Sequence, residues 1–202
     1  MADNSSEKIV GISGLPSGKA GKREQGRAAV TMTELTSVSL LQLAVFPEQM
    51  KGFRTSFKRQ TGIGDLPDFS DSVQDKNGLV VRPEITKFWL LRAASASPVT
   101  APSLAKYFPL DLSGSRVFLR LRGPQAAALI NRFCAVDLSV PPGRFMATGM
   151  HHVGIHILKQ AEADFVLFLP RSFAESLAET LYHSALQFGV EVNRPAAWRG
   201  LG

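Results

Sequence analysis

The side chains able to do chemistry in this chain of 202 residues are few: a histidine cluster, one cysteine, two aspartates beside turns, three arginines and one glycine-rich run. His151, His152 and His156 suggest a metal site at first, because imidazoles four apart chelate on a helix, where such positions share a face. Val153, Ile155 and Ile157, however, alternate with His152, Gly154 and His156, which is the period of a strand. Four strand residues at about 3.3 Å each set His152 and His156 about 13 Å apart, too far for one metal. They are expected to be surface or partly buried histidines.

Cys134 ends an apolar helical stretch, Arg132-Phe133-Cys134-Ala135, without a His or Asp at a nucleophile's spacing. It reads as a small buried hydrophobe, and a single cysteine forms no internal disulfide. Asp111 and Asp137 read as turn or helix-end residues. Arg116, Arg144 and Arg171 could gather round an anion, or equally pair with carboxylates on another chain. Gly14-Leu15-Pro16-Ser17-Gly18-Lys19-Ala20 imitates a phosphate loop but fails twice: Ser13 stands where the first glycine is needed, and Ala20 replaces the magnesium-binding hydroxyl. No Gly-x-Gly-x-x-Gly follows a strand and no Cys-x-x-Cys occurs, so no cofactor is expected on this chain.

The elements that must hold these residues are well punctuated. Residues 1–29 lack apolar periodicity and read as a flexible basic arm. From Met32 to Phe46 the apolar residues predict a strand, and Pro47 opens a helix whose Met50, Phe53 and Phe57 share a face, stopped by Gly62. Residues 64–77 read as a loop and Leu79–Leu91 as strand. Residues 95–102 form a second loop and the seam between halves. Then Val117, Leu119 and Leu121 alternate with Phe118, Arg120 and Arg122, and Gly123-Pro124 starts a helix with Leu129, Ile130 and Phe133 on its buried side. Strands are predicted at Met150–Leu158 and Phe165–Leu169. A last helix starts at Ser172, in a capping box with Glu175, and closes at Gly189.

The order strand, proline, helix, Leu-Pro in the first half is echoed by strand, Gly-Pro, helix, Asp-Leu in the second. An α+β fold follows: two similar halves of antiparallel strands with packed helices, residues 30–108 and 109–192, after the arm and before a tail at 193–202.

Composition agrees with a globular domain: 45% of residues are apolar and 20% charged. The N-terminus lacks the pattern of a signal peptide, and the longest apolar stretch, Val38–Phe46, falls far short of a bilayer span, so a cytoplasmic protein without membrane association is expected. The net charge of +6 invites a nucleic-acid reading. Its densest cluster, Lys51, Arg54, Lys58 and Arg59, lies toward the C-terminal end of one helix, where cations offset the dipole, and no aromatic platform accompanies it. A solvated face or an acidic partner subunit is the expectation, and nucleic acid is not.

One succession of motifs goes further: Asp111-Leu112-Ser113 with Arg116, Gly123-Pro124, Cys134 with Asp137-Leu138, Pro141-Pro142-Gly143, and Arg171-Ser172-Phe173-Ala174-Glu175. In that order they resemble the gamma subunits of heterotetrameric sarcosine oxidases and of related N-methyl amino acid oxidases and dehydrogenases, whose fold is similar to the folate-binding domain of the aminomethyltransferases. The likeness spans roughly residues 30 to 192. Two departures stand out: Arg82-Pro83-Glu84 runs into Phe88-Trp89-Leu90 without the glycine of the family's Gly-Pro-x-x-Trp-Leu-like strand, and Phe145-Met146 stands where a cysteine is common.

The resemblance implies a non-catalytic subunit that contacts the alpha subunit of a complex with alpha, beta and delta partners. It also implies that FAD, FMN, NAD, tetrahydrofolate and zinc belong to those partners, in a complex that demethylates sarcosine or a related amine. Phe88, Trp89, Arg116, Arg144, Arg171 and Trp198 are candidate contacts with a partner, the aromatics because large rings dominate interfaces. One of Phe88 and Trp89 is expected in the core, whereas Trp198, beyond the last helix, has no evident local core to join. The alternative is a free-standing folate-binding aminomethyltransferase-like protein, but the Lys-Gly-Cys-Tyr-x-Gly-Gln-Glu run of the iron–sulfur-assisting members is missing.

Overall fold

A single residue divides the apolar run that the sequence assigns to one strand. Ser37, with φ of 57°, turns the chain between β2 (Val30–Thr36) and β3 (Val38–Ala44), which enter different sheets. The computed structural model describes residues 14–22, 27–97, 99 and 102–198. Most of residues 1–29, and the last four residues of the tail, therefore lie outside the described residues.

The smaller sheet is continuous in sequence. After β3, a 3-10 turn at Pro47–Gln49 leads into α1 (Met50–Thr61), which ends at Gly62 in the left-handed conformation, φ 76°, that glycine adopts without strain. Then come β4 (Ser72–Asp75), β5 (Gly78–Glu84), β6 (Lys87–Ala93), α2 (Pro102–Ala105) and β7 (Leu110–Asp111), giving five strands in the order β4-β5-β6-β3-β7. The predicted loop over 64–77 thus contains β4, and the run Leu79–Leu91 is a hairpin rather than one strand.

The larger sheet draws on both ends of the chain. Its middle is β8 (Arg116–Arg122), followed by α3 (Ala126–Ile130), β9 (Phe145–Met150), β10 (Val153–Ala161), β11 (Asp164–Pro170) and α4 (Ala174–Ala185). β1 (Gly18–Ala20), β12 (Val190–Val192) and β13 (Ala196–Ala197) complete it, in the order β1-β12-β2-β8-β11-β10-β9 with β13 also beside β2. Residues 30–36, grouped by sequence with the first half, therefore join the sheet of the second. Gly18-Lys19-Ala20 is an edge strand and not a phosphate loop.

Alternation along each strand sorts side chains into three cores. On β8 and β11, Val117, Leu119, Leu121, Phe165, Leu167 and Leu169 face α3 and α4. Val80, Phe88 and Leu90 face α1, where Phe53 and Phe57 meet them, and Tyr107, just past α2, packs edge-on against Phe53. The opposite sides of both sheets, through Leu40, Leu79, Trp89, Phe118, Phe145 and Phe168, pack on each other. The result is four layers: helix, large sheet, small sheet, helix.

Two local expectations fail for physical reasons. Ser172 caps nothing: it lies inside a 3-10 turn, Arg171–Phe173, and α4 begins at Ala174 without a side-chain cap. His151 and His152 are not strand residues but the two-residue turn between β9 and β10, with φ of 47° and 66°. Such a turn needs positive φ at both positions, so Asn-Gly is its usual signal and its absence hid β9.

Candidate functional site

The seam between the sheets concentrates what polar and aromatic chemistry the chain has. β6 supplies Trp89, whose indole N–H donates to Gln42 Oε1 at 2.9 Å. β9 supplies Phe145, and β10 supplies His156, whose ring stacks on Phe145 with centroids 5.1 Å apart and planes 5° from parallel. Trp89 meets His156 edge-on at 4.9 Å, and Phe168 of β11 lies against both Phe145 and Trp89. Arg116, at the start of β8, lays its guanidinium over the Trp89 ring at 5.6 Å, a cation–π contact.

The electrostatics follow from this enclosure. Burial foremost, and the Arg116 charge second, push the His156 imidazole down to about 4, with Glu84 opposing weakly. It is neutral at pH 7. Burial also lowers the pKa of Arg116.

The three arginines that sequence grouped together part company. Arg144 donates to Asp71 at 2.7 Å and, with the bridge between those two residues, clips the small sheet to the start of β9. Arg171 sits beside Arg116, because register pairs Pro170 with Arg116, and it donates to the carbonyls of Gly114 at 2.6 Å and Arg116 at 3.3 Å. Arg116 and Arg171 line one cavity of ≈ 450 Å³ that also touches Glu34, Ser113 and Phe118.

The aromatic contact candidates are spent inside the chain. Phe88 is 1% exposed in the core under α1 and Trp89 5% exposed in the seam, since neighbours on a strand face opposite ways. Trp198 corrects the expectation outright. Ala196 and Ala197 pair with β2, its backbone N–H donates to Thr36, and its indole is 6% exposed in the seam.

Sequence reasoning missed a second polar cluster, on the part of the large sheet that the small sheet leaves uncovered. Arg120 forks onto the Asp164 carboxylate at 2.9 and 2.6 Å, and Arg122 reaches it at 3.3 Å, above a cavity of ≈ 660 Å³. Only the β8–β11 register brings these residues together, so no local pattern announces them. Asp111 accepts from Ser113 N–H and Oγ–H, which lowers its pKa, and Asp137 accepts from Ser139 N–H. Each closes a turn by accepting from the N–H two residues on, Asp111 from the end of β7. Cys134 is buried beneath α3, and burial raises its thiol to about 11. Among the described residues no group of His, Cys, Asp or Glu is placed to hold a metal, and no helix is long and apolar enough to cross a membrane.

No family model matches the chain, and no curated protein does. Solved structures do. A chain of the heterotetrameric sarcosine oxidase from Corynebacterium sp. U-96, in complex with pyrrole 2-carboxylate, superposes with a TM-score of 0.68 at 22% identity, over 82% of this chain and 87% of that one. The glycine cleavage system aminomethyltransferase T from Bartonella henselae superposes with a TM-score of 0.59 at 18% identity, over 84% of this chain and 48% of that one. The chain thus spans about half the length of the aminomethyltransferase. It has the α+β fold that a chain of the sarcosine oxidase and the aminomethyltransferase share.

Proposed function

We propose that the chain is a non-catalytic, gamma-type subunit of a heterotetrameric, flavin-dependent complex that demethylates sarcosine or a related N-methyl amino acid and passes the one-carbon unit to tetrahydrofolate. The observation that carries this reading is the extent of the likeness. The superposition takes in 82% of this chain and 87% of the sarcosine oxidase chain, against 48% of the aminomethyltransferase.

Three ion pairs are consistent with a scaffold role. Arg120–Asp164, Arg144–Asp71 and Lys159–Glu162 tie strand to strand or strand to turn. In this reading FAD, FMN, NAD, tetrahydrofolate and zinc reside on the alpha, beta and delta partners, and this chain contributes assembly and stability through the alpha subunit. The exposed cations of α1, Lys51, Arg54, Lys58 and Arg59, suit an acidic partner surface.

The test is purification of the tagged chain from its native cells, with mass spectrometry and an absorbance spectrum of the eluate. Stoichiometric co-purification of three further chains with flavin absorbance is expected. A colourless monomer that binds folate would overturn this reading in favour of the free-standing folate-binding one.

A further inference from the structure

Arg116 is out of keeping with the other enclosed cations of the chain. Arg120, Arg144 and Lys159 each have a carboxylate within 3.0 Å. Arg82 and Arg92 donate to backbone carbonyls. Among the described residues the Arg116 guanidinium has only the Trp89 ring, and its Nε is buried without a hydrogen-bond partner. Withdrawing a cation from water without pairing it is costly. A second arginine, Arg171, donates to the backbone carbonyl of Arg116 and lines the same cavity. Arg171 gives its Nε and one terminal nitrogen to carbonyls, and among the described residues its other terminal nitrogen has no hydrogen-bond partner.

Both arginines face a cavity of ≈ 450 Å³, within the range of small-molecule pockets, whose remaining wall includes the apolar side chains of Val38 and Phe118. Its own carboxylate, Glu34, is already engaged. We infer that the Arg116–Arg171 cavity is a carboxylate-binding site, taking a carboxylate borne on an apolar body through the planar fork that guanidinium offers such a group. The carboxylate comes either from a small molecule or from an acidic side chain of a partner subunit. Phosphate, wholly polar and tetrahedral, suits the apolar wall less well.

The site does not depend on the subunit reading, and its first test uses the full chain alone. Benzoate is titrated against the chain while the His156 imidazole is followed by NMR. Burial is the main cause of the low His156 pKa and the Arg116 charge the second; an anion beside Arg116 offsets that second cause, so saturating benzoate raises the His156 pKa part of the way, whereas benzamide of the same shape leaves it in place. Arg116→Gln and Arg171→Gln each weaken benzoate binding about tenfold or more. Arg122→Gln, at the opposite end of β8 and outside this cavity, leaves it unchanged. Should Arg116→Gln not fold, Arg116→Lys keeps the charge and loses the fork, and still binds several-fold more weakly.

Equal effects of benzoate and benzamide, phosphate binding as tightly as benzoate, or indifference to Arg116→Gln and Arg116→Lys would each overturn the proposal. Repeating the titration on the complex as purified from cells separates the two sources. Binding that persists assigns the site to a small molecule, and binding lost on assembly assigns it to a partner's carboxylate.

Discussion

The two helix-covered cores and the seam between the sheets are built from the same strands but by different rules. Under α3 and α4, and under α1, apolar side chains meet helices that follow or precede them closely in sequence. In the seam the contacts are made by Trp89, Phe145, His156, Phe168 and Trp198, which come from five strands or their ends, with Arg116 from a sixth. The helix-covered core of the large sheet is mostly aliphatic and tolerant in geometry. The seam sets a cluster of packed rings among its aliphatic residues, and ring packing with defined angles makes it less forgiving.

The comparison sharpens most at two adjacent residues of β11. Phe168→Ala, in the seam, removes ring contacts with Trp89, Phe118 and Phe145 and should cost about 4 kcal/mol, measured by denaturant unfolding, with a shift in Trp89 fluorescence. Leu167→Ala, fully buried on the helix side, should cost about 3 kcal/mol and leave that fluorescence unchanged. Equal fluorescence responses would erase the distinction between the regions.

Trp198→Ala comes next, at about 3 kcal/mol of lost stability in the isolated chain. After such a result, weakened co-purification on removing residues 194–202 would report a loosened fold rather than a lost contact. Unaltered stability would return Trp198 to the list of partner contacts.

A smaller effect separates the seam by pH. His156 has its pKa lowered on folding, so between its unfolded value of 6.5 and about 4 the unfolded chain binds more protons. Stability from this residue is therefore complete above that window and is lost as pH falls through it, with a slope of at most about 1.4 kcal/mol per pH unit. His156→Phe should flatten that limb of the stability profile. Smallest of all, Ser172→Ala should change stability by no more than about 0.5 kcal/mol, because the hydroxyl caps no helix.

What was legible in the sequence divides along the same line. Val117, Leu119 and Leu121, or Phe53 and Phe57, announce a buried face because the period is local, and Gly62 marks the end of α1 because its left-handed backbone favours glycine, whereas α4 ends at Ala185, four residues before the Gly189 that the sequence suggests. The resemblance resting on Asp111-Leu112-Ser113 and Pro141-Pro142-Gly143 led to the right fold. The seam could not be read this way. That Trp89 meets His156, or that Arg116 neighbours Arg171 and not Arg144, depends on pairings between strands tens of residues apart. Ser37 and the His151-His152 turn were missed because residues other than glycine or asparagine occupy left-handed positions.

The strand order also sets a timetable for synthesis. The small sheet, complete by Asp111, can form as soon as its residues leave the ribosome, while β2 waits unpaired for β8 and, later still, for β12 and β13. Until β8 to β11 arrive, the seam face of the small sheet, Trp89 included, has nothing to lie against, and exposed apolar surface of that kind invites aggregation during elongation. A nascent chain arrested near residue 115 should therefore bind chaperones that the finished chain no longer needs.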